Sequence, residues 1–187
     1  MTDSDPEPQG NASSDPLDPV SSVQAAIDGL GILARRRIEA EIIKPIYEEM
    51  EARFGRQAAR ETLRAAITKA AIEAGKKFAD SEKGPVDLKS FAALQPKWRQ
   101  DDALHFEVLT ETADRFDYDV TKCRYAEMYL SMGLGEIGSL LSCQRDGSFC
   151  QGYDRRIKMT RTRTIMEGGE SCDFRYSMPP SSREQED

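Results

Sequence analysis

Residues 103–133, ALHFEVLTETADRFDYDVTKCRYAEMYLSMG, carry the change of period that decides the fold class. Leu104, Phe106 and Val108 alternate with His105 and Glu107, and after a turn around Ala113 and Asp114, Phe116, Tyr118 and Val120 alternate with Asp117 and Asp119. Period-two alternation on both sides of a turn reads as a β-hairpin with one buried face. The spacing then lengthens: Thr121 is the expected cap of a helix through TKCRYAEMYLSMG, and Gly133 ends it. A second helix is expected from near Gly135 through Ile137, Leu140 and Leu141 toward Cys143.

Upstream of the hairpin the apolar spacing is helical. Val23, Ile27, Leu30, Ile38, Ile42, Ile46, Met50 and Phe54 mark an amphipathic helix with weak points at Gly29, Gly31 and Pro45 and a stop at Gly55. A second helix is expected over about 56–78, with Ala59, Leu63, Ala66, Ile67, Ala70 and Ile72 inward, followed by a loop and a short helix from about Asp87 that stops at Pro96. Downstream, 156–166 and 171–176 flank a turn at Glu167-Gly168-Gly169-Glu170 and read as another hairpin. The sum is an α+β fold: an N-terminal helical pair packed with a roughly four-stranded antiparallel sheet interrupted by a helical pair. Residues 1–20 are rich in Pro, Ser and Asp and are expected to form a disordered acidic arm, residues 178–187 a disordered tail, and residues 21–177 a single domain.

With 187 residues there is enough chain for one real core, and the net charge of −7 works against nucleic acid or an anionic membrane as partner. The sequence holds no apolar run of membrane-spanning length and opens without a signal pattern, so a cytoplasmic protein is expected. In that compartment the four cysteines stay thiols. The apolar stripe of the first helix exceeds what one sheet can cover, which leaves room for a homo-oligomer.

Chemistry concentrates between Asp117 and Tyr176. Strand geometry over 157–165 sets Ile157, Met159, Arg161, Arg163 and Ile165 on one face, so two guanidinium groups share an apolar surface. Burying them requires acids opposite, with Asp146, Asp173 or Glu127 as candidates, or a bound carboxylate held as arginine holds such groups, by two parallel bonds. Cys123, expected in the first turn of its helix beside Lys122 and Arg124, is placed where a thiol pKa falls. Cys143, Cys150 and Cys172 lack metal-binding spacing, so no metal is expected, with Cys123, Cys143 and Cys172 as the one weak alternative ligand set. On the last strand Cys172, Phe174 and Tyr176 face one way, Asp173 and Arg175 the other.

The segments YDVTKCRYAEMY (118–129), MGLGEIG (132–138), LLSCQRD (140–146), TRTRTIMEGG (160–169) and CDFRY (172–176), in that order, resemble the L-2-amino-thiazoline-4-carboxylic acid hydrolase family. The resemblance implies a cofactor-free hydrolase that opens a small carboxylate-bearing cyclic amidine to an N-carbamoyl amino acid. By motif it singles out Cys123 and Arg124, Cys143 and Asp146, Arg161, and Cys172, Asp173 and Arg175. On that basis Cys123 or Cys172 is the expected nucleophile and Asp173 or Asp146 the proton carrier, with Arg161, Arg163, Arg175 and Arg124 as substrate-binding groups. Members often have Gln at the position of Arg163 and His where Ser171 stands. The competing reading is a non-catalytic small-molecule-binding or sensor domain, with or without a structural zinc.

Overall fold

The computed structural model describes residues 19–179, so the expected arm and tail lie almost entirely outside the described residues. The chain divides into two units, one ending at Leu30 and one beginning at Gly31. In the first, helix α1 spans Pro19–Gly29 and exposes Val20, Val23 and Ile27. The single amphipathic helix expected here is thus two helices, broken at Leu30-Gly31.

The second unit opens with α2 (Ile32–Phe54) and α3 (Arg56–Asp80). Gly55 joins them with φ of 82°, a conformation that L side chains rarely adopt. Two short helices follow, α4 (Leu88–Ala93) and α5 (Gln95–Arg99). Asp87 and Ser90 form a reciprocal capping box at the start of α4. Pro96 was expected to stop a helix but lies in the first turn of α5, where its missing N–H costs nothing.

Strands β1 (Leu104–Glu111) and β2 (Arg115–Cys123) form the hairpin, helices α6 (Arg124–Ser131), α7 (Gly138–Leu141) and α8 (Cys143–Tyr153) follow, and β3 (Lys158–Thr160) and β4 (Cys172–Ser177) complete an antiparallel sheet of order β1-β2-β4-β3. The α+β architecture is therefore as expected. In β2 and β4 the phase is also as read: Phe116, Tyr118, Val120, Cys172, Phe174 and Tyr176 are buried on one face. Val108 is exposed instead, because β1 is an edge strand whose pairing slips between His105 and Phe106 and again between Val108 and Thr110.

Helix α8 is pressed against α3 at backbone distance. A Cβ added at Gly152 would sit 1.9 Å from the Ile72 carbonyl oxygen, and one at Gly75 would sit 2.2 Å from that of Phe149. Only glycine fits at either place, and this close approach fixes the height of α8, which carries Cys143, Asp146 and Cys150. Two apolar clusters flank the sheet and helices, and Leu104, Cys123 and Ile165 pack against both. Met178 belongs to the second cluster, and its N–H donates to the Asp114 carbonyl.

Candidate functional site

The chain between β3 and β4 departs from the strand expected through Ile165. Pairing ends at Thr160, because the N–H groups of Thr162 and Arg163 donate to Asp173 Oδ1 at 3.0 and 2.8 Å rather than to a strand. Thr162 Oγ1 donates to Asp173 Oδ2 at 2.6 Å. With the ladder broken, Arg161 and Arg163 no longer share a face. Arg161 turns inward, while Arg163 runs to Ser171 Oγ at 3.0 Å and to Asp119 at 3.6 Å on the outer side.

Arg161 is fixed from three directions. Its Nη1 donates to Asp146 Oδ2 at 2.6 Å, its Nη2 donates to the Cys143 carbonyl at 2.9 Å, and its guanidinium carbon lies 4.7 Å from the centre of the Phe174 ring. Asp146 sits in the first turn of α8, where the helix dipole favours an anion. Its side chain keeps 29 % of its surface accessible, against 10 % for Arg161. Burial nevertheless pushes the carboxyl above its ordinary range, opposed by Arg161, Arg145 and Arg36. The carboxyl is thus desolvated by its surroundings and still partly reached by solvent.

Three thiols lie within electrostatic reach of this carboxyl. Cys123, Cys143 and Cys172 each feel the charge of Asp146, and Cys172 influences both of the others. Burial pushes Cys123 up to about 11, with the Ala126 N–H pulling it partly back. Cys143 is raised to about 12 by burial and then by Asp146, against the pull of Arg161. Cys172 is raised by burial, and its sulfur accepts from the Ile165 N–H at 3.2 Å. The expected activation of Cys123 is thereby corrected. β2 continues through Thr121, so Cys123 itself caps α6, its sulfur accepting from Ala126 N–H at 3.4 Å, and desolvation outweighs the helix terminus. All these thiols are protonated at neutral pH.

The remaining expected site residues lie elsewhere. Asp173 holds its own loop and is lowered to about 2: burial raises it, but the hydrogen bonds from Thr162 and Arg163 prevail. Arg175 pairs with Asp119 at 2.7 Å and donates to the Tyr118 and Phe174 carbonyls on the outer face of the sheet. Arg124 is exposed and donates to the Asp101 carbonyl at 2.9 Å. His105 is also exposed, against Asp102. Among the described residues, no three His, Cys, Asp or Glu side chains are placed to hold a metal ion, so the alternative set Cys123, Cys143 and Cys172 is not a metal cradle.

Several groups around Asp146 were not singled out from sequence. Burial raises the phenols of Tyr118 and Tyr176, on the inner face of β2 and β4, which hydrogen-bond to each other and feel the charge of Asp146. Their inward phase was legible in the strand alternation, but aromatic residues on that face read as core. Arg145 donates to Glu39 at 3.0 Å and Arg36 to the same carboxylate at 2.5 Å. Arg36, Arg145 and Arg161 thus face Glu39 and Asp146, an excess of one positive charge.

Comparison with known proteins follows this geometry. No curated protein matches the chain significantly. Among solved structures, the phenol-responsive sensory domain of the transcription activator PoxR bound to phenol gives a TM-score of 0.47 at 9 % identity, covering 80 % of this chain and 75 % of that one. A trafficking protein particle complex subunit 3 from Naegleria fowleri covalently bound to palmitic acid gives a TM-score of 0.46 at 9 % identity, covering 79 % of this chain and 96 % of that one. No helix among the described residues is long and apolar enough to cross a membrane. A family model matches residues 35–176, the stretch that includes Arg36, Glu39, Asp146 and Arg161, and the chain accordingly belongs to the L-2-amino-thiazoline-4-carboxylic acid hydrolase family.

Proposed function

We propose that this protein hydrolyses a small cyclic amidine that carries a carboxylate, of the 2-aminothiazoline-4-carboxylate type, to an N-carbamoyl amino acid. The observation that carries the reading is the Asp146–Arg161 pair, desolvated yet partly accessible. Such a substrate is a zwitterion, with an amidinium to meet Asp146 and a carboxylate to meet Arg161. Each internal charge exchanges its protein partner for one on the substrate, so neither is left buried and unpaired.

Water adds to the amidine carbon, and Asp146 accepts a proton from it as general base. In the tetrahedral adduct the water oxygen keeps one hydrogen, and the ring nitrogen keeps the hydrogen it carried in the amidinium. Collapse makes that oxygen the carbonyl of a urea, breaks the carbon–sulfur bond, passes the proton held by Asp146 to the departing sulfur, and releases the hydroxyl hydrogen to solvent, which balances the loss of the amidinium charge. One water is consumed and no redox partner is needed. Burial of Asp146 raises its basicity toward the working pH, as a general base requires. A covalent route through Cys123 or Cys172 would need a thiolate, which burial opposes at both positions. The thiols are assigned instead to the surroundings of Asp146.

The test is a turnover screen of carboxylate-bearing thiazolines, thiohydantoins and hydantoins with mass detection. The expected product is a water adduct of the 2-aminothiazoline-4-carboxylate. Tight binding of that compound without any adduct would overturn the enzymatic reading in favour of a ligand-binding domain.

A further inference from the structure

Helix α2 turns Ala40 and Tyr47 to the core, but leaves the ridge Ile38, Ile42 and Ile46 in the open at 54, 63 and 52 % exposure. Three isoleucines spaced four apart form one continuous ridge, the kind of surface that packs against a second helix. The charges along the same helix are polarised: Arg35, Arg36 and Arg37 lie before the ridge, and Glu48, Glu49 and Glu51 after it. This is the reverse of what the helix dipole favours, which is acids near the N-terminus and bases near the C-terminus. An antiparallel helix with the same sequence offsets both costs.

We infer that α2 is the contact face of a two-fold homodimer, in which the second copy's α2 lies antiparallel with Ile42 on the symmetry axis. In that register Ile38 meets the second copy's Ile46. Arg35 and Glu49 lie seven residues to either side of Ile42, two turns away and within about 20° of its direction, so each meets the other's counterpart across the axis. Both are already partnered within their own chain, Glu49 to Arg53 one turn on in an exposed pair of the kind that exchanges partners readily, so dimerisation exchanges partners rather than filling vacancies. A parallel arrangement would set Arg35 against Arg35 and Glu49 against Glu49. The face is only as long as one helix, about 35 Å for its residues, so a weak dimer that dissociates on dilution is expected.

Sedimentation velocity of the full chain over a dilution series is the test. The wild type is expected to pass from dimer to monomer on dilution. Ile42→Glu, an exposed change that leaves the core intact, is expected to remain monomeric throughout with an unchanged thermal melt. Arg35→Glu and Glu49→Arg are each expected to weaken the dimer by about tenfold or more, and an equimolar mixture of the two variants is expected to restore it, since opposite charges then meet at both ends. A wild type that stays monomeric at the highest concentration, or an Ile42→Glu chain that dimerises as the wild type does, would overturn the interface. Failure of the mixture to re-associate would overturn the antiparallel register.

Discussion

The two sides of the β2–β4 pair carry the same chemical groups and put them to opposite uses. Inside, Asp146 from α8 meets Arg161 where burial raises the acid and leaves it partly accessible. Outside, Asp173, Arg175, Arg163 and Asp119 form a network in which Asp173 is lowered to about 2 by hydrogen bonds that occupy both its oxygens. A carboxylate saturated with donors is a brace, and one that is desolvated but reachable is a base. Residue type alone does not separate them. Strand phase does, since Cys172 and Asp173 are neighbours in sequence and point to opposite faces.

The largest expected effect lies on the inner side. Asp146→Asn removes the proton acceptor, and kcat/KM should fall by about 10³-fold, within the usual range for general-base catalysis. Circular dichroism should show the fold retained. Asp173→Asn should leave kcat/KM within about tenfold of wild type. Equal losses from the two variants would erase the distinction between base and brace.

Next is the cost of separating the inner pair. Arg161→Met leaves Asp146 buried and unpaired, which typically costs about 3–5 kcal/mol. Urea unfolding should show this loss, and the double variant Arg161→Met with Asp146→Leu should recover most of it. If the single variant unfolds as the wild type does, the pair is wetter than its burial indicates.

The outer side predicts a specific acid transition. Asp173 titrates at about 2 when folded, below the ordinary aspartate value of about 3.9 when unfolded. Between those values the unfolded chain binds more protons. Its stabilising contribution is therefore complete above about pH 4 and is lost as pH falls toward 2. Stability measured from pH 5 to 2 should decline more steeply in the wild type than in Asp173→Asn. Parallel curves would mean that the hydrogen bonds from Thr162 and Arg163 do not hold the carboxylate.

How much of this contrast could be read from sequence differs between the two sides. The buried face of Phe116, Tyr118 and Val120 and the shared face of Cys172, Phe174 and Tyr176 followed from alternation, because β2 and β4 are regular and centrally placed. The split between Arg161 and Arg163 did not. It depends on Asp173 capturing two backbone N–H groups that a longer β3 would have used, and that competition leaves no mark in local periodicity. Cys123 was misjudged for a related reason. Thr121 is the better capping residue by type, but β2 extends past it and a thiol takes the cap. In α2 the stripe read from spacing was expected to exceed what the core covers, but its division, with Ala40 and Tyr47 inward and the isoleucine ridge exposed, was not legible in the spacing. Cys123, Cys143 and Cys172 were grouped from sequence as a weak ligand set and by motif, but their spacing did not tell that Asp146 acts on all three.

The smallest effect concerns those thiols. With Cys123 near 11 and Cys143 near 12, their thiolate fractions at pH 8 are more than about a hundredfold below that of an ordinary cysteine at about 8.5. Iodoacetamide labelling of the native chain should be slow at both, and fast after unfolding. Cys123→Ser and Cys172→Ser should each lower turnover by less than about tenfold, whereas loss of activity from either would move the nucleophile from water to sulfur.

The central claim is that the inner carboxylate directs water onto the amidine carbon of a bound zwitterion. Incubating wild type and Asp146→Asn with 2-aminothiazoline-4-carboxylate in ¹⁸O-labelled water tests it most directly. The wild type should yield N-carbamoylcysteine with one heavy oxygen in its urea carbonyl, and the variant should yield almost none. Unlabelled starting material recovered from the wild type, or labelled product formed equally by both proteins, would contradict it.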